Sequence, residues 1–390
     1  MRTLLITGPG GSGRTTVAAA TALAAARAGH RTLLIGSDRD DTLGAALGVA
    51  TGGTPAPAAP GLTVWRPDAA RGFRDDLAAL QERAASALDL LGAARLDPEE
   101  LTPLPGAGAL ALLRALRDAA LAEAHDVLVV DLPPVPEALA LLALPEELRR
   151  YLRRLLPPER QAARALRPVL GRLAGVPLPA EGLYETTARW DRELAATEAV
   201  LADPGTVVRL VAEPGPAGAD AVRAAGLGLA LRGLRTDLLV ANRVLPEDVP
   251  ADGWLAGPLA QQRKTLDAWH ETHAVHPVPH LGRDPRGADD LTALAAPHTG
   301  PDGPPVAWPV TDRLAADGVL VWHIPLPGAV REELDLVRRG DELVVTAGPF
   351  RRIVPLPSAL RRCTVEGAAL REGTLAVRFA PDPRLWPGGR

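Results

Sequence analysis

The run Gly8-Pro9-Gly10-Gly11-Ser12-Gly13-Arg14-Thr15-Thr16 constrains this chain more than any other stretch. Ahead of it, Thr3–Thr7 is a short apolar run that reads as a buried strand. Behind it, Thr15 to Ala28 reads as an Ala-rich helix closed by Gly29. Glycines between a strand and a helix let backbone N–H groups turn inward as an anion nest, and the helix N-terminus adds its dipole. The frame is that of a phosphate-binding loop, G-x-x-x-x-G-K-[ST], with Arg14 in the lysine's place. The plainer alternative is a Gly-rich turn before a helix. Under the phosphate reading, Gly8, Gly10, Gly11 and Gly13 shape the nest and Arg14 holds phosphate oxygens. Thr15 offers its hydroxyl to Mg²⁺, and Thr16 lies near the α-phosphate. A guanidinium is bulkier than an ammonium and planar, so the exchange is not conservative, although it can still grip oxygens bidentately. The bias is chain-wide: Lys264 is the sole lysine among 43 basic residues, as a GC-rich genome produces.

The rhythm continues with further buried strands at Thr32–Ile35, Asp126–Val130, Thr206–Val211 and Asp237–Ala241, and a weaker one near Val275–Val278. Continuous apolar runs alternating with helices predict a parallel, doubly wound α/β sheet. Residues 68–125 and 136–203 read as helical insertions on one face of it. In the second, Leu139, Leu142, Leu148, Leu152 and Leu155 form a stripe that suits either core packing or an exposed groove for a hydrophobic client. Residues 297–305 are a Pro/Gly linker. Beyond it, Gly318–Leu326, Glu333–Val337, Glu342–Ala347, Arg351–Leu356 and Thr374–Phe379 read as strands of an all-β domain. The expected division is therefore 1–296, linker 297–305, and 306–385.

Composition excludes several classes. A single cysteine, Cys363, rules out an internal disulfide framework or a Cys-based zinc site. A net charge of −4 lacks the basic footprint of a nucleic-acid binder. The longest apolar run outside the strands, Ala138 to Leu144, is far short of a membrane span. The expectation is a cytoplasmic protein without a targeting segment. His270, His273, His276 and His280 cluster in sequence, but Pro277 and Pro279 break their register.

With these residues in view, the chain resembles the ATPase family of the arsenite-pump ATPase ArsA and the guided-entry ATPases of tail-anchored membrane proteins. Their deviant loop reads K-G-G-x-G-K-T-T. Pro9 and Arg14 stand at its two lysines, and Pro9 replaces the lysine that reaches the partner subunit's nucleotide. The resemblance implies that Asp38, in Ser37-Asp38-Arg39-Asp40-Asp41, orients the attacking water. It implies that Asp131, in Asp131-Leu132-Pro133-Pro134-Val135-Pro136-Glu137, is the Mg²⁺-linked carboxylate of the second switch. It also implies that Asn242 bonds adenine. Each has a plainer reading as a strand-end polar residue. The C-terminal domain resembles the α-crystallin (HSP20-like) sandwich, through Leu326-Pro327-Gly328 and the strands after it, which marks a subgroup of this family.

What the resemblance implies is a homodimer that binds ATP or ADP with Mg²⁺ and hydrolyses ATP weakly. It would serve as a chaperone or targeting factor for hydrophobic, tail-anchored-like clients, with no nucleic-acid partner. The alternative is a degenerate, non-hydrolysing nucleotide-binding scaffold or holdase, favoured by the two missing lysines and the added prolines. Met1 is the only methionine, so the flexible Met-lined surface of promiscuous binders is missing.

Overall fold

A computed structural model describes residues 1–38, 40–83, 96–155, 181–246, 253–301 and 306–385, with positions 85, 89, 94 and 303. The chain begins with β1 (Arg2–Thr7), α1 (Arg14–Arg27), β2 (Thr32–Gly36) and α2 (Thr42–Leu47). There follow β3 (Ala56–Ala59), β4 (Leu62–Trp65), α3 (Ala69–Arg83), α4 (Ala107–Ala122) and β5 (Val127–Asp131). Then come α5 (Val135–Leu155), α6 (Glu181–Ala202), β6 (Thr206–Ala212), α7 (Pro216–Leu231) and β7 (Thr236–Val244). The layer closes with α8 (Ala256–Thr272), β8 (Val275–Pro279) and α9 (Gly287–Ala293).

The strands form one eight-stranded sheet in the order β3-β4-β2-β5-β1-β6-β7-β8. All its pairings are parallel except that of the edge strand β3. Successive side chains of a strand point to opposite faces, so Leu33 and Leu34 enter different cores. Leu33, Leu128 and Val130 pack under α4, α5 and α7, through Leu112, Leu116, Leu139, Leu142 and Leu229. Leu34, Val129 and Val211 pack under α1 and α9, through Val17, Ala18 and Leu291. Burial on both faces is why β1, β2 and β5 read as unbroken apolar runs.

Helices α4 and α5 pack on this sheet as crossover layers. Leu112, Leu113 and Leu116 of α4 are buried in the same core as Leu139 and Leu142 of α5. The α5 stripe is split: Leu139 and Leu142 are buried, Leu148 and Leu152 are half-buried, and Leu155 is 77% exposed. Core packing accounts for the inner half of the stripe, and its outer end is exposed. Residues 156–180 of the second helical segment lie outside the described residues, as do 302, 304 and 305 of the linker.

The C-terminal region holds β9 (Val310–Arg313), β10 (Val319–Pro325), β11 (Leu334–Arg339), β12 (Glu342–Ala347), β13 (Phe350–Pro355), β14 (Cys363–Arg371) and β15 (Thr374–Pro381). They form antiparallel sheets β14-β15-β10-β9 and β11-β12-β13. Between them lie Trp322, Ile324, Leu343, Val345, Val377 and Phe379. Leu227 and Leu231 of α7 belong to this same core. A Cβ on Gly228 would stand 2.4 Å from Leu139 and 3.1 Å from the Phe350 ring, so the two domains and α5 meet there without spare room. Arg352 of β13 bonds Glu146 of α5 at 3.1 Å and the Leu231 carbonyl at 3.0 Å.

A polar knot fastens the far end of the sheet. Arg209 and Asp237 are buried side by side, with Nη2 to Oδ2 at 2.8 Å, and Arg2 reaches the same carboxylate at 3.2 Å. Arg209 also donates to the Pro297 carbonyl, and Arg2 to that of Gly300 at 3.3 Å. The start of the linker is thus strapped to the sheet.

Candidate functional site

Chain connections turn opposite ways from β1, first to β2 and later to β6, so the crevice beyond its carboxyl end is a topological switch point. The glycine loop sits there. A Cβ on Gly8 would lie 1.9 Å from the Val211 carbonyl oxygen, so no larger residue lets β1 leave the sheet at this point. Gly13 caps α1 at φ +84°, and a Cβ there would lie 2.3 Å from Asn242 Nδ2. That approach allows Asn242, buried at the end of β7, to donate Nδ2 to the Ser12 carbonyl at 2.7 Å. Its amide oxygen takes no part in this bond. Gly10 and Gly11 form the exposed crest, and Pro9 O accepts from Ser12 Oγ at 2.9 Å.

Asp131 closes β5 beside the first turn of α1. Its Oδ2 accepts from Thr15 Oγ1 at 2.7 Å, while Oδ1 is buried with no hydrogen-bond partner. Burial pushes its carboxyl up to about 7, aided by the Asp38 charge and opposed by Thr15 and by Arg14. Arg14, the first residue of α1, donates Nη1 to the Leu132 carbonyl, and its Nε is buried without a partner. The segment after Asp131 is pinned further. Leu132 N–H donates to Ile6 O at 2.9 Å, Thr7 Oγ1 to Pro133 O at 2.8 Å, and Val135 N–H to Gly8 O at 3.1 Å. Backbone and side-chain bonds thus tie the loop and the second-switch segment together.

Asp38 is half-buried after β2 and accepts from the Thr42 hydroxyl. It lies near enough to Asp131 for its charge to act there. Asp41 adopts a left-handed φ of 51° and caps α2. Although burial works against it, hydrogen bonds from Thr51 and Gly44 and the charge of Arg66 hold its carboxyl below the usual range. Arg39 between them lies outside the described residues.

Beside the loop opens a cleft of about 940 Å³, lined by Gly13, Thr16, Asn242, Gln262, His280 and Arg283 among others. Loop residues, Asp131 and Asn242 therefore come together, with Asp38 on the rim of Asp131. Reading the sequence alone misses Gln262, which pairs with both the N–H and the C=O of Leu245 at 2.8 and 3.0 Å and so fixes the cleft wall. It also misses Arg243, at a left-handed φ of 57° and paired with Glu213. Neither has a motif around it; adjacency to Asn242 was the sole hint for Arg243.

The donor sets fit a magnesium nucleotide. A threonine hydroxyl and a buried carboxylate with a bare oxygen are the hard ligands Mg²⁺ takes. The nest and the α1 N-terminus suit phosphate, and the cleft has the volume of a small-molecule site. The missing point charge at Pro9 and the turned-back Arg14 fit that group less well.

The model of the ArsA ATPase family, described as anion-transporting ATPase, matches residues 1–297. That of the HSP20-like domain found in ArsA matches residues 317–379. An uncharacterised protein of Streptomyces coelicolor is 82% identical over 390 residues, the full length of both chains. A Mycobacterium tuberculosis protein is 33% identical over 99% of this chain and 97% of its own. A protein of Aquifex aeolicus, provisionally named arsenical pump-driving ATPase 1, is 26% identical over 97% of this chain and 99% of its own.

Proposed function

From the premise that the chain belongs to the ArsA ATPase family and carries that family's HSP20-like domain, we propose that it binds ATP with Mg²⁺ beside β1 and hydrolyses it slowly. The observation that carries this reading is the Thr15–Asp131 pair with its bare buried oxygen. A structural aspartate at a strand end would be satisfied by its surroundings; this one is left incomplete. In this reading the backbone of Gly8–Thr16 cradles the phosphates, Thr15 and Asp131 hold the metal, and Asn242 presents its amide oxygen to the adenine amino group. Mg²⁺, when bound, neutralises charge that builds on the phosphoryl oxygens. Asp38 orients the attacking water, and Arg14 must leave Leu132 to reach a phosphate.

The division into an ATPase domain over 1–296 and a β domain over 306–385, joined by 297–305, goes with this proposal. So does action, as a homodimer, on hydrophobic clients. The exposed outer half of α5 is the surface that supports a client role, since Tyr151 is 50% and Leu155 77% exposed. Among the described residues no helix is long and apolar enough to cross a membrane. The arsenical-pump name of relatives does not carry over: Cys363 is the chain's one cysteine, buried at the start of β14, and arsenite needs several soft thiolates.

A second reading, a nucleotide-binding scaffold that does not turn over, is favoured by Arg14 held on Leu132 and by the pinned Pro133–Pro134 segment. Calorimetric titration with Mg-ATP beside a phosphate-release assay separates the two. Binding lost in Asp131→Asn together with slow release supports hydrolysis. Binding without release supports the scaffold, and no binding at millimolar ATP ends both.

A further inference from the structure

At the opposite end of the sheet, between the two domains, lies a second cleft of about 950 Å³. It is bounded by the outer half of α5, the starts of β6 and β7, and β13. The chain as a whole carries a net charge of −4, yet arginines crowd this cleft. Several are neutralised in place. Arg149 bonds Asp191 and Glu198, Arg154 faces Glu342, and Arg352 bonds Glu146. Arg153 also lies 3.5 Å from Asp191, whereas Arg150 and Arg351 are not neutralised. Arg150 lies over the Tyr151 ring, 4.9 Å from its centroid, and Arg351 is exposed on β13. Neither has a carboxylate partner among the described residues.

Two deeper arginines are more telling. Arg232 keeps 13% of its side chain exposed, and its nearest carboxylate, Glu147, is 3.5 Å away. Burial draws its guanidinium below the usual arginine range, and the neighbouring Arg352 charge adds to this against Glu147 and Glu146. Arg235 donates Nη2 to the Pro204 carbonyl at 3.2 Å, and its Nη1 is buried with no hydrogen-bond partner. A buried cationic donor left without a partner costs free energy that an anion would recover.

We propose that this interdomain cleft binds a small phosphorylated molecule, with Arg150, Arg232, Arg235 and Arg351 as its anion-recognising residues. Guanidinium groups are the side chains best matched to phosphate oxygens. Eight arginines line the cleft against five carboxylates, Glu146, Glu147, Glu198, Asp203 and Glu342, so its lining keeps an excess of positive charge. The volume is that of a small-molecule site, and the chain's negative charge argues against a nucleic acid. The proposal does not depend on nucleotide binding at the loop. It would, however, connect to the loop physically. Helix α5 starts at Val135, whose N–H is bonded to Gly8, and its outer half forms one wall of the cleft.

Inorganic pyrophosphate is the probe, titrated calorimetrically into the full-length protein. A Thr15→Val, Arg14→Ala background removes the side-chain contribution of the glycine loop. Saturable binding is expected there, weakened about tenfold or more by Arg351→Glu, at an exposed position that leaves the fold intact, and weakened likewise by Arg150→Glu, at a half-buried one, and by Arg235→Gln. Citrate, titrated in parallel, should bind less tightly than pyrophosphate; equal or tighter citrate binding would overturn the phosphate assignment. Absence of saturation at millimolar pyrophosphate, or binding indifferent to the Arg351 and Arg150 variants, would overturn the site itself. Pyrophosphate binding lost only in the loop variants would leave the nucleotide reading standing and remove this one.

Discussion

Asp131 and Asp237 are both carboxylates buried in the central sheet, and their surroundings are opposite. Asp237, at the start of β7, has both oxygens engaged: Oδ2 by Arg2 and Arg209, and Oδ1 by Arg209 Nε at 3.4 Å. Asp131, at the end of β5, has one oxygen held by Thr15 and the other bare. A buried charge that only has to hold a fold together is paired and hydrogen-bonded on every side. One left incomplete, with its carboxyl pushed up to about 7, is what the proposed metal site calls for. The two ends of the same sheet thus hold one satisfied carboxylate and one unsatisfied one.

Breaking the satisfied end should have the largest effect. Arg209→Ala leaves Asp237 buried with Arg2 alone, and denaturant unfolding should show a loss of up to about 5 kcal/mol. A loss below about 1 kcal/mol would mean that the knot is not a structural charge pair.

The unsatisfied end predicts a pH signature. The folded-state pKa of Asp131 lies near 7, above its ordinary value of 3.8. Folding therefore favours the protonated acid, and its contribution is greatest below pH 4. Stability then falls as pH rises from about 4 to about 7, by something on the order of 4 kcal/mol, and is flat above. Asp131→Asn removes the titration. Melting curves of wild type and variant should diverge through that window, with the variant the more stable at pH 8. Curves that stay parallel from pH 4 to 8 would refute the incomplete carboxylate. Affinity for Mg-ATP should rise over the same interval, because the metal requires the ionised form.

Asn242→Ala tests the bridge between loop and cleft. It removes the bond to Ser12 and the adenine acceptor, and should weaken ATP binding by about 1–3 kcal/mol. Binding of inorganic phosphate should be nearly unchanged; an equal loss for both ligands would show that Asn242 serves the loop alone. The smallest effect is expected from Arg14→Lys. An ammonium reaches the phosphates as a point charge and releases the Leu132 carbonyl, and phosphate release should rise about tenfold. An unchanged rate would place the limit in the proline-pinned segment instead.

Much of this was legible because the interior strands are buried on both faces. Thr3–Thr7 and Thr32–Ile35 differ from the observed strands by one residue. The strands that escaped notice lack that signal. β3 is an edge strand carrying a proline, which the edge tolerates, and the other edge strand, β8, carries two and was legible only weakly, near Val275–Val278. β9 is exposed along its length, and β14 is largely exposed and bulged between Val365 and Gly367. Gly8, Gly13 and Thr15 could be named from the spacing of the loop, and Asp131 and Asn242 from the resemblance to the family. The bond from Arg14 to Leu132, the bare oxygen of Asp131 and the arginine-rich lining of the second cleft could not. They depend on which side chains meet across more than a hundred positions of chain.

Gly228 carries a consequence for how such a protein can be divided. The linker invites a cut near position 300, as though two modules had been strung together. Yet α7 lends Leu227 and Leu231 to the β domain's core and turns a bare glycine toward Leu139 and Phe350. Removing the C-terminal region would strip the cover from an ATPase helix and leave a greasy scar on the part that was kept. A cut at the linker would therefore deliver two halves, neither with a finished surface.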